Sequence, residues 1–252
     1  MVSKGEFSTA MMKGERIAST RPLAQAEQRA PLVPKILFED SHLIALAKPA
    51  GLLSQGEKRG DENLVDWLRG YLGRPYVGLV HRLDRNTSGL MVVAKRTKSA
   101  DRLTQALQSG QIARSYLGWI TGTLEKPERW AHRLLKDQER NIVQVVSPSH
   151  PRGKDAILVA TPIQKGNWRG ESITLVEFTL ETGRSHQIRV QSANAGHPLL
   201  GDIKYGKSKA TFPRPALHSH RLRFPHPMSG KIMEFEEPLP DDMAKLLTSS
   251  TP

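Results

Sequence analysis

The segment SITLVEFTLET, residues 172–182, places Ile173, Leu175, Glu177 and Thr179 on one side of an extended chain and Thr174, Val176, Phe178 and Leu180 on the other. A period of two held over that length commits the segment to a strand with at least one buried face, and its backbone groups must be paired by neighbouring strands. The rest of the chain has to supply those neighbours. Ile36–Phe38 and Leu43–Ala47 form two short strands joined by the polar EDSH turn, and the continuous apolar run Leu90–Ala94 suits a strand buried on both faces. IARSYLGWITG, NIVQVVSP, AILVATPIQ, ALHSHRLRFPHP and KIMEFEEP add further strands, the last two joined through Pro-Met-Ser-Gly.

Helical patterns are fewer. ENLVDWLRGYLG closes near Gly70 or Gly73, and TKSADRLTQALQSG has a Thr or Ser to cap its start and Gly110 to close it. SHQIRVQSANAG is expected to be helical up to Gly196, and DDMAKLL to form a short terminal helix. The charged stretch EKPERWAHRLLKDQERN reads as a hairpin or loop, and SPSHPRGKD as a turn-rich basic excursion. The whole predicts an α+β fold: a mixed, largely antiparallel central sheet with flanking helices and a basic active-site cleft. An alternating strand–helix pattern is missing, as are G-x-G-x-x-G and the phosphate-loop motif, which removes nucleotide-cofactor folds.

A chain of 252 residues lies near the size at which one domain divides into two. Residues 1–33 show no sustained period and read as a flexible basic leader; residues 34–252 read as a single catalytic-sized domain, with one or two lobes. The absence of cysteine excludes disulfides, thiolate metal sites and a catalytic thiol. There is no apolar run of membrane-spanning length and no secretory signal, so a cytoplasmic location is expected, with organellar import left open by the basic, Ser/Thr-containing start.

Lys and Arg number 37 against 25 Asp and Glu, a formal charge of +12 that favours an anionic partner, nucleic acid first. The charge is also clustered. Residues 74–102 hold seven Lys/Arg against Asp84 and Asp101, and residues 204–231 hold seven with no Asp or Glu. Within the first cluster lies HRLDRNTSG, where Asp84 sits between Arg82 and Arg85 just before a small-residue turn. Asp84 is a candidate nucleophile or base and the two arginines candidate phosphate contacts; taken alone, the segment also fits a structural Arg-Asp pair at a strand entrance. In LETGRSHQIRV, Gly183 can deliver Arg184 into a cleft where its guanidinium would pair bidentately with Asp84, or else Arg184 ties strand to helix. Gln187, Arg189 and Gln191 follow as helix support or ligand-facing groups. Tyr116 in RSYLGW is either a core-edge aromatic or a platform for a base, and Trp119, three residues on, belongs to the opposite, core face.

Other chemistries find less support. His218 and His220 could share a strand face, but no H-E-x-x-H motif accompanies them, so no metal is expected. A G-x-S-x-G elbow is absent, and so is the carboxylate cluster of a two-metal nuclease.

Together, HRLDRNTSGL, RSYLGWITG, LETGRSHQIRV, AGHPLLGDIKYG and LHSHRLRFPHP resemble the RluA-like pseudouridine synthases, in the family's order and across about residues 35–240. The resemblance implies isomerisation of uridine to pseudouridine in structured rRNA or tRNA, with the target uridine flipped or unpaired, no cofactor and no metal. It makes Asp84 the nucleophile, Tyr116 the residue packing on uracil, and Arg184 the arginine paired with the aspartate; Arg114 joins Arg82 and Arg85 as a candidate RNA contact. Asn86 stands where the family often has an acidic or other polar residue, and Ser185 where threonine is frequent. Attack at ribose C1′ and addition at uracil C6 both remain open. A catalytically inactive RNA-binding protein retaining the fold is the alternative.

Overall fold

The structure is a computed structural model that describes residues 32–56, 60–206 and 212–248. All but the last two residues of the expected leader, 1–33, lie outside them; Leu32 packs against the first core cluster. In chain order the elements are β1 (Lys35–Glu39), β2 (Leu43–Lys48), α1 (Leu64–Leu72), β3 (Gly78–Leu79), β4 (Ser88–Ala94), α2 (Thr97–Gln108), β5 (Ala113–Thr121) and β6 (Glu128–Asp137). They continue with β7 (Ile142–Val146), β8 (Lys154–Trp168), β9 (Glu171–Leu180), α3 (Gln187–Asn194), β10 (Leu217–Pro225), β11 (Ile232–Glu236) and α4 (Asp241–Thr248).

The strands form one sheet in the order β1-β2-β4-β10-β5-β9-β8-β6-β7, with β11 on β10 and β3 on β4. Its named strand pairs are antiparallel except β4 with β10, so the sheet is mixed and largely antiparallel. The parallel pair explains a glycine. Gly89 has φ 109, and a Cβ there would lie 2.2 Å from the Ser219 carbonyl oxygen, so only glycine lets β4 approach β10 this closely.

Both faces of β4 are covered. Met91 and Val93 pack with Leu64 and Leu68 of α1, while Leu90, Val92 and Ala94 pack with Leu103 and Ala106 of α2, which is why that strand reads as an unbroken apolar run. In β9 the alternation likewise divides Ile173 and Leu175, against Met243 and Leu246 of α4, from Val176 and Phe178. Trp119 is fully buried on the α4 side and Tyr116 lies on the other, as their spacing in β5 requires. Asn63 caps α1 by accepting from the Asp66 amide at 3.0 Å, and Gly73 ends it at φ 61. By contrast α2 starts after Arg96, with no side-chain cap.

Of the hairpin or loop expected for residues 125–141, the structure forms the hairpin: residues 128–137 are β6, with Trp130 and Leu134 buried, paired with β7 and with β8. AILVATPIQ is part of a 15-residue strand that continues through Pro162. Proline has no N–H to give the ladder, and the register shifts between Pro162 and Gln164, so a bulge absorbs it. Among the described residues no helix is long and apolar enough to cross a membrane.

Candidate active site

Asp84 stands on the chain segment that runs from β3 into β4, and that segment is fastened on both sides of it. Ser54 Oγ donates to the Leu83 carbonyl at 2.7 Å and accepts from the Leu83 amide at 3.0 Å, while the Leu83 side chain enters the core. On the other side the Arg85 carbonyl accepts from the Gly51 amide at 2.8 Å and from Lys48 Nζ at 3.1 Å. Lys48 is almost wholly buried and also donates to the carbonyls of Pro49 and Leu52; burial lowers its pKa to about 7, against the opposing pull of Asp84. Arg214 Nη1 donates to the Asn86 carbonyl at 3.2 Å, and its Nε and Nη2 bind Asp242 of α4 at 2.7 and 2.9 Å. With Leu83 held inward, Asp84 points outward, its side chain 28% exposed.

The partner of Asp84 comes from α3. Arg189 Nη1 donates to Asp84 Oδ2 at 3.1 Å, and Arg189 Nε and Nη2 bind the two oxygens of Asp202 at 2.7 and 2.9 Å. Burial works against the guanidinium charge, but Asp202 and Asp84 outweigh it and raise the pKa further above its ordinary value. The Asp202 side chain is 1% exposed and is held by this bidentate pair and by the amides of Lys204 and Tyr205. Arg189 also lies 5.1 Å from the centre of the Tyr205 ring.

His186 completes the group. It sits just before α3 with φ 52 and ψ 20, a left-handed backbone that is uncommon outside glycine. Its Nδ1 is 2.6 Å from the Tyr205 hydroxyl, which already accepts from the Val143 amide at 3.0 Å. If the hydroxyl donates to Nδ1, the neutral ring carries its proton on Nε2, 3.9 Å from Asp84 Oδ1. Burial lowers the pKa of His186 and favours that neutral form, with Asp84 acting in the opposite sense.

Arg184 is not the partner of Asp84. Its Nε donates to the Asp155 carbonyl at 2.8 Å, which turns the exposed side chain toward β8. The reason lies in the turn before α3: Gln187 Oε1 takes the Arg184 amide and the Thr182 hydroxyl, each at 2.9 Å, and holds residues 182–185 away from the axis along which Arg189 reaches Asp84. Gly183 serves a different purpose from the expected one. Its φ is not positive, and the nearest atoms to a Cβ there would be the guanidinium of Arg114, at 2.7 Å from Nη1. Gln187 and Gln191 are buried fasteners, the latter donating to the Trp130 and Ala156 carbonyls at 3.0 Å. Tyr116 is 6% exposed and packs in the core beside Leu83, with its hydroxyl on Ser219. Burial pushes its pKa up.

A cavity of about 1150 Å³ opens over Asp84. Arg82, Arg85, Arg114, Arg184, His186 and Arg189 all line it. Arg82 is exposed and forms no ion pair among the described residues, and Arg85 faces Asp61 at 3.9 Å. Read alone, the sequence assigns no site role to His186, Asp202, Tyr205 or Lys48, and leaves Arg189 between helix support and a ligand-facing group. A signal did exist for Asp202: it is the sole carboxylate in AGHPLLGDIKYG, set among small and apolar residues where only a buried partner explains it.

A family model described as RNA pseudouridylate synthase matches residues 42–194. Ribosomal large subunit pseudouridine synthase D of Nitrosomonas europaea is 37% identical over 243 residues, covering 88% of this chain and 67% of that protein. The protein of the same name from Haemophilus influenzae is 34% identical, covering 85% and 70%. Human RNA pseudouridylate synthase domain containing 1 shares the fold, with a TM-score of 0.70 over 82% of this chain and 84% of that one at 22% identity. Matched by the family model over more than half its length and by relatives 34–37% identical across at least two thirds of their own length, the chain belongs to the RluA-like RNA pseudouridylate synthases, enzymes that isomerise uridine to pseudouridine.

Proposed function

We propose that the chain modifies uridine in ribosomal RNA of the large subunit, with Asp84 as the nucleophile. The observation that carries this reading is the fixed chain Asp202–Arg189–Asp84, which ends on a carboxylate opening into a cavity large enough for an extruded nucleoside. The names of the most similar relatives supply the substrate class. The cytoplasm is the location this reading implies.

The net reaction breaks the bond between ribose C1′ and uracil N1 and makes one from C1′ to C5; C5 loses a proton and N1 gains one. No oxidant, energy source or metal enters that balance. Asp84 supplies the electron pair, either to C1′, releasing the base, or to C6, with Asp84 carrying the ring while it turns. Arg189 steadies the carboxylate by a charge-assisted hydrogen bond, and Asp202 limits how far the guanidinium can swing. Tyr116, the residue expected to pack on uracil, is buried in the core and does not line the cavity, so a contact with the base requires the pocket to open toward β5. Its raised pKa keeps it a phenol at neutral pH, which suits packing and hydrogen bonding better than abstraction of the C5 proton.

The cavity is a basic active-site cleft on this reading. Its lining holds seven Lys or Arg residues against Asp61, Asp84 and Glu181, and the cations hold the RNA backbone without reading sequence. Arg82 and Arg85 flank Asp84 in the chain, Arg114 comes from β5, and Arg184 joins them as a phosphate contact.

The test is pseudouridine mapping in large-subunit RNA incubated with wild-type protein, Asp84→Ala and Asp84→Asn. Product from wild type alone, with RNA affinity of the variants within about threefold, is the expected result. Product at the wild-type rate from Asp84→Asn would remove Asp84 from the chemistry; wild-type protein that leaves large-subunit RNA unmodified but modifies another RNA would remove the substrate assignment.

A further inference from the structure

The basic segment SPSHPRGKD has no place in the reaction above, yet it is a packed turn. The His150 amide donates to the Ser147 carbonyl at 2.9 Å, the Gly153 amide to the His150 carbonyl at 3.1 Å, and the Arg152 amide to His150 Nδ1 at 3.2 Å. Arg133 donates to the Gly153 carbonyl, and a Cβ on Gly153 would lie 3.0 Å from both Arg133 Nε and Val146 Cγ2. This turn therefore sets where Arg152 and Lys154 stand.

They stand on a second cavity, of about 400 Å³. Leu134 and Val143, both buried, give it an apolar floor, while Lys136, Arg152, Lys154 and Arg184 bring four positive charges and its lining contains no carboxylate. The volume falls within the roughly 300–1,000 Å³ of sites that hold one small organic ligand. Lys136 and the 183–185 turn also line the cavity over Asp84, so the two spaces share a wall, and Arg184 is held in that wall by its bond to Asp155.

We propose that this second cavity is a subsite for a nucleotide next to the target uridine in the same RNA strand. An apolar floor with cations around it matches a nucleotide: the base lies on Leu134 and Val143, and its phosphate meets Arg152 and Lys154. The shared wall lets one strand occupy both cavities, with the target uridine at Asp84 and its neighbour beyond Arg184. The inference rests on the reading of the first cavity as the uridine site, and it turns substrate choice into a question of two adjoining nucleotides.

The experiment is a double-mutant cycle on equilibrium binding. Full-length wild type and Arg152→Ala/Lys154→Ala are titrated with an RNA hairpin carrying the mapped target uridine and with hairpins in which one flanking phosphate, on either side in turn, is a neutral methylphosphonate. One flanking substitution should weaken wild-type binding about tenfold, the double variant should bind the unmodified hairpin about tenfold more weakly, and the two together should cost little more than either alone. Penalties that multiply independently on both sides, or a double variant that binds like wild type, would overturn the subsite; the latter result would leave the patch for an anionic partner other than RNA. Because the cycle reads affinity and the mapping with Asp84 variants reads product, failure of the subsite is distinguishable from failure of the catalytic reading.

Discussion

Asp202 holds Arg189 by two hydrogen bonds, at 2.7 and 2.9 Å, and leaves the third guanidinium nitrogen for Asp84 at 3.1 Å. The buried carboxylate thus acts on Asp84 through an intermediate. Asp202→Asn keeps the shape but loses the charge, and it should slow single-turnover pseudouridine formation about 10- to 100-fold with RNA affinity nearly unchanged. An unaltered single-turnover rate in a folded Asp202→Asn protein would show that Arg189 needs no such anchor.

The two arginines of GRSHQIR separate chemistry from binding. Arg189→Ala removes the partner of Asp84 and should cost at least about a hundredfold in the single-turnover rate. Arg184→Ala should leave that rate within about threefold while lowering RNA affinity and reducing the slope of log affinity against log salt by about one. The reverse pattern would return Arg184 to the role that its motif position first suggested.

The Tyr205 hydroxyl is expected to donate to His186 Nδ1 and so to set its tautomer. Side-chain ¹⁵N shifts should report an unprotonated Nδ1 and a protonated Nε2 at neutral pH, and Tyr205→Phe should erase that preference because Nδ1 loses its donor. If the preference persists in Tyr205→Phe, the hydroxyl does not orient the ring that faces Asp84.

Acid should destabilise the fold above the range in which carboxylates titrate. Burial lowers the pKa of His81 to about 3, helped by Arg114, and that of His218 to about 4, from ordinary values of 6.5. His81 Nε2 accepts from the Val92 amide at 3.2 Å, a bond that needs the unprotonated nitrogen. Below pH 6.5 the unfolded chain takes up protons that these folded histidines refuse, so stability is complete above that pH and falls as the pH drops toward 4 and 3. Each histidine contributes a slope of about 1.4 kcal/mol per pH unit within its window. The urea midpoint should therefore be lower at pH 5 than at pH 7; equal midpoints would mean that the two rings are protonated in the folded state as readily as in the unfolded one.

Much of this architecture is written in short stretches. The alternation of residues 172–182, the apolar run of β4 and the Asn63–Gly73 frame of α1 each reflect forces between near neighbours, and each becomes the expected element. Asp84 was visible for the same reason, since its turn, its flanking arginines and the following strand are contiguous. β6 stayed open between hairpin and loop because its pairing strands lie outside it, and its buried Trp130 and Leu134 are outnumbered by charges that point outward. Nor does Pro162 look like the middle of a strand until the bulge in β8 is seen.

The choice between Arg184 and Arg189 belongs to a different scale. Both lie in one motif, both are five-donor cations, and no local preference distinguishes them as partners for a carboxylate 105 positions before Arg189. That choice depends on where α3 comes to rest against the loop entering β4, on the clasp that Gln187 makes with the turn holding Arg184, and on the buried Asp202 that waits for the second arginine. Residue order was enough to reveal a strand-rich fold and to single out Asp84, because turns and periodicity act over a few residues. The ion pair at that carboxylate required the packed chain, because a guanidinium meets its carboxylate only where distant segments have been brought within hydrogen-bonding distance.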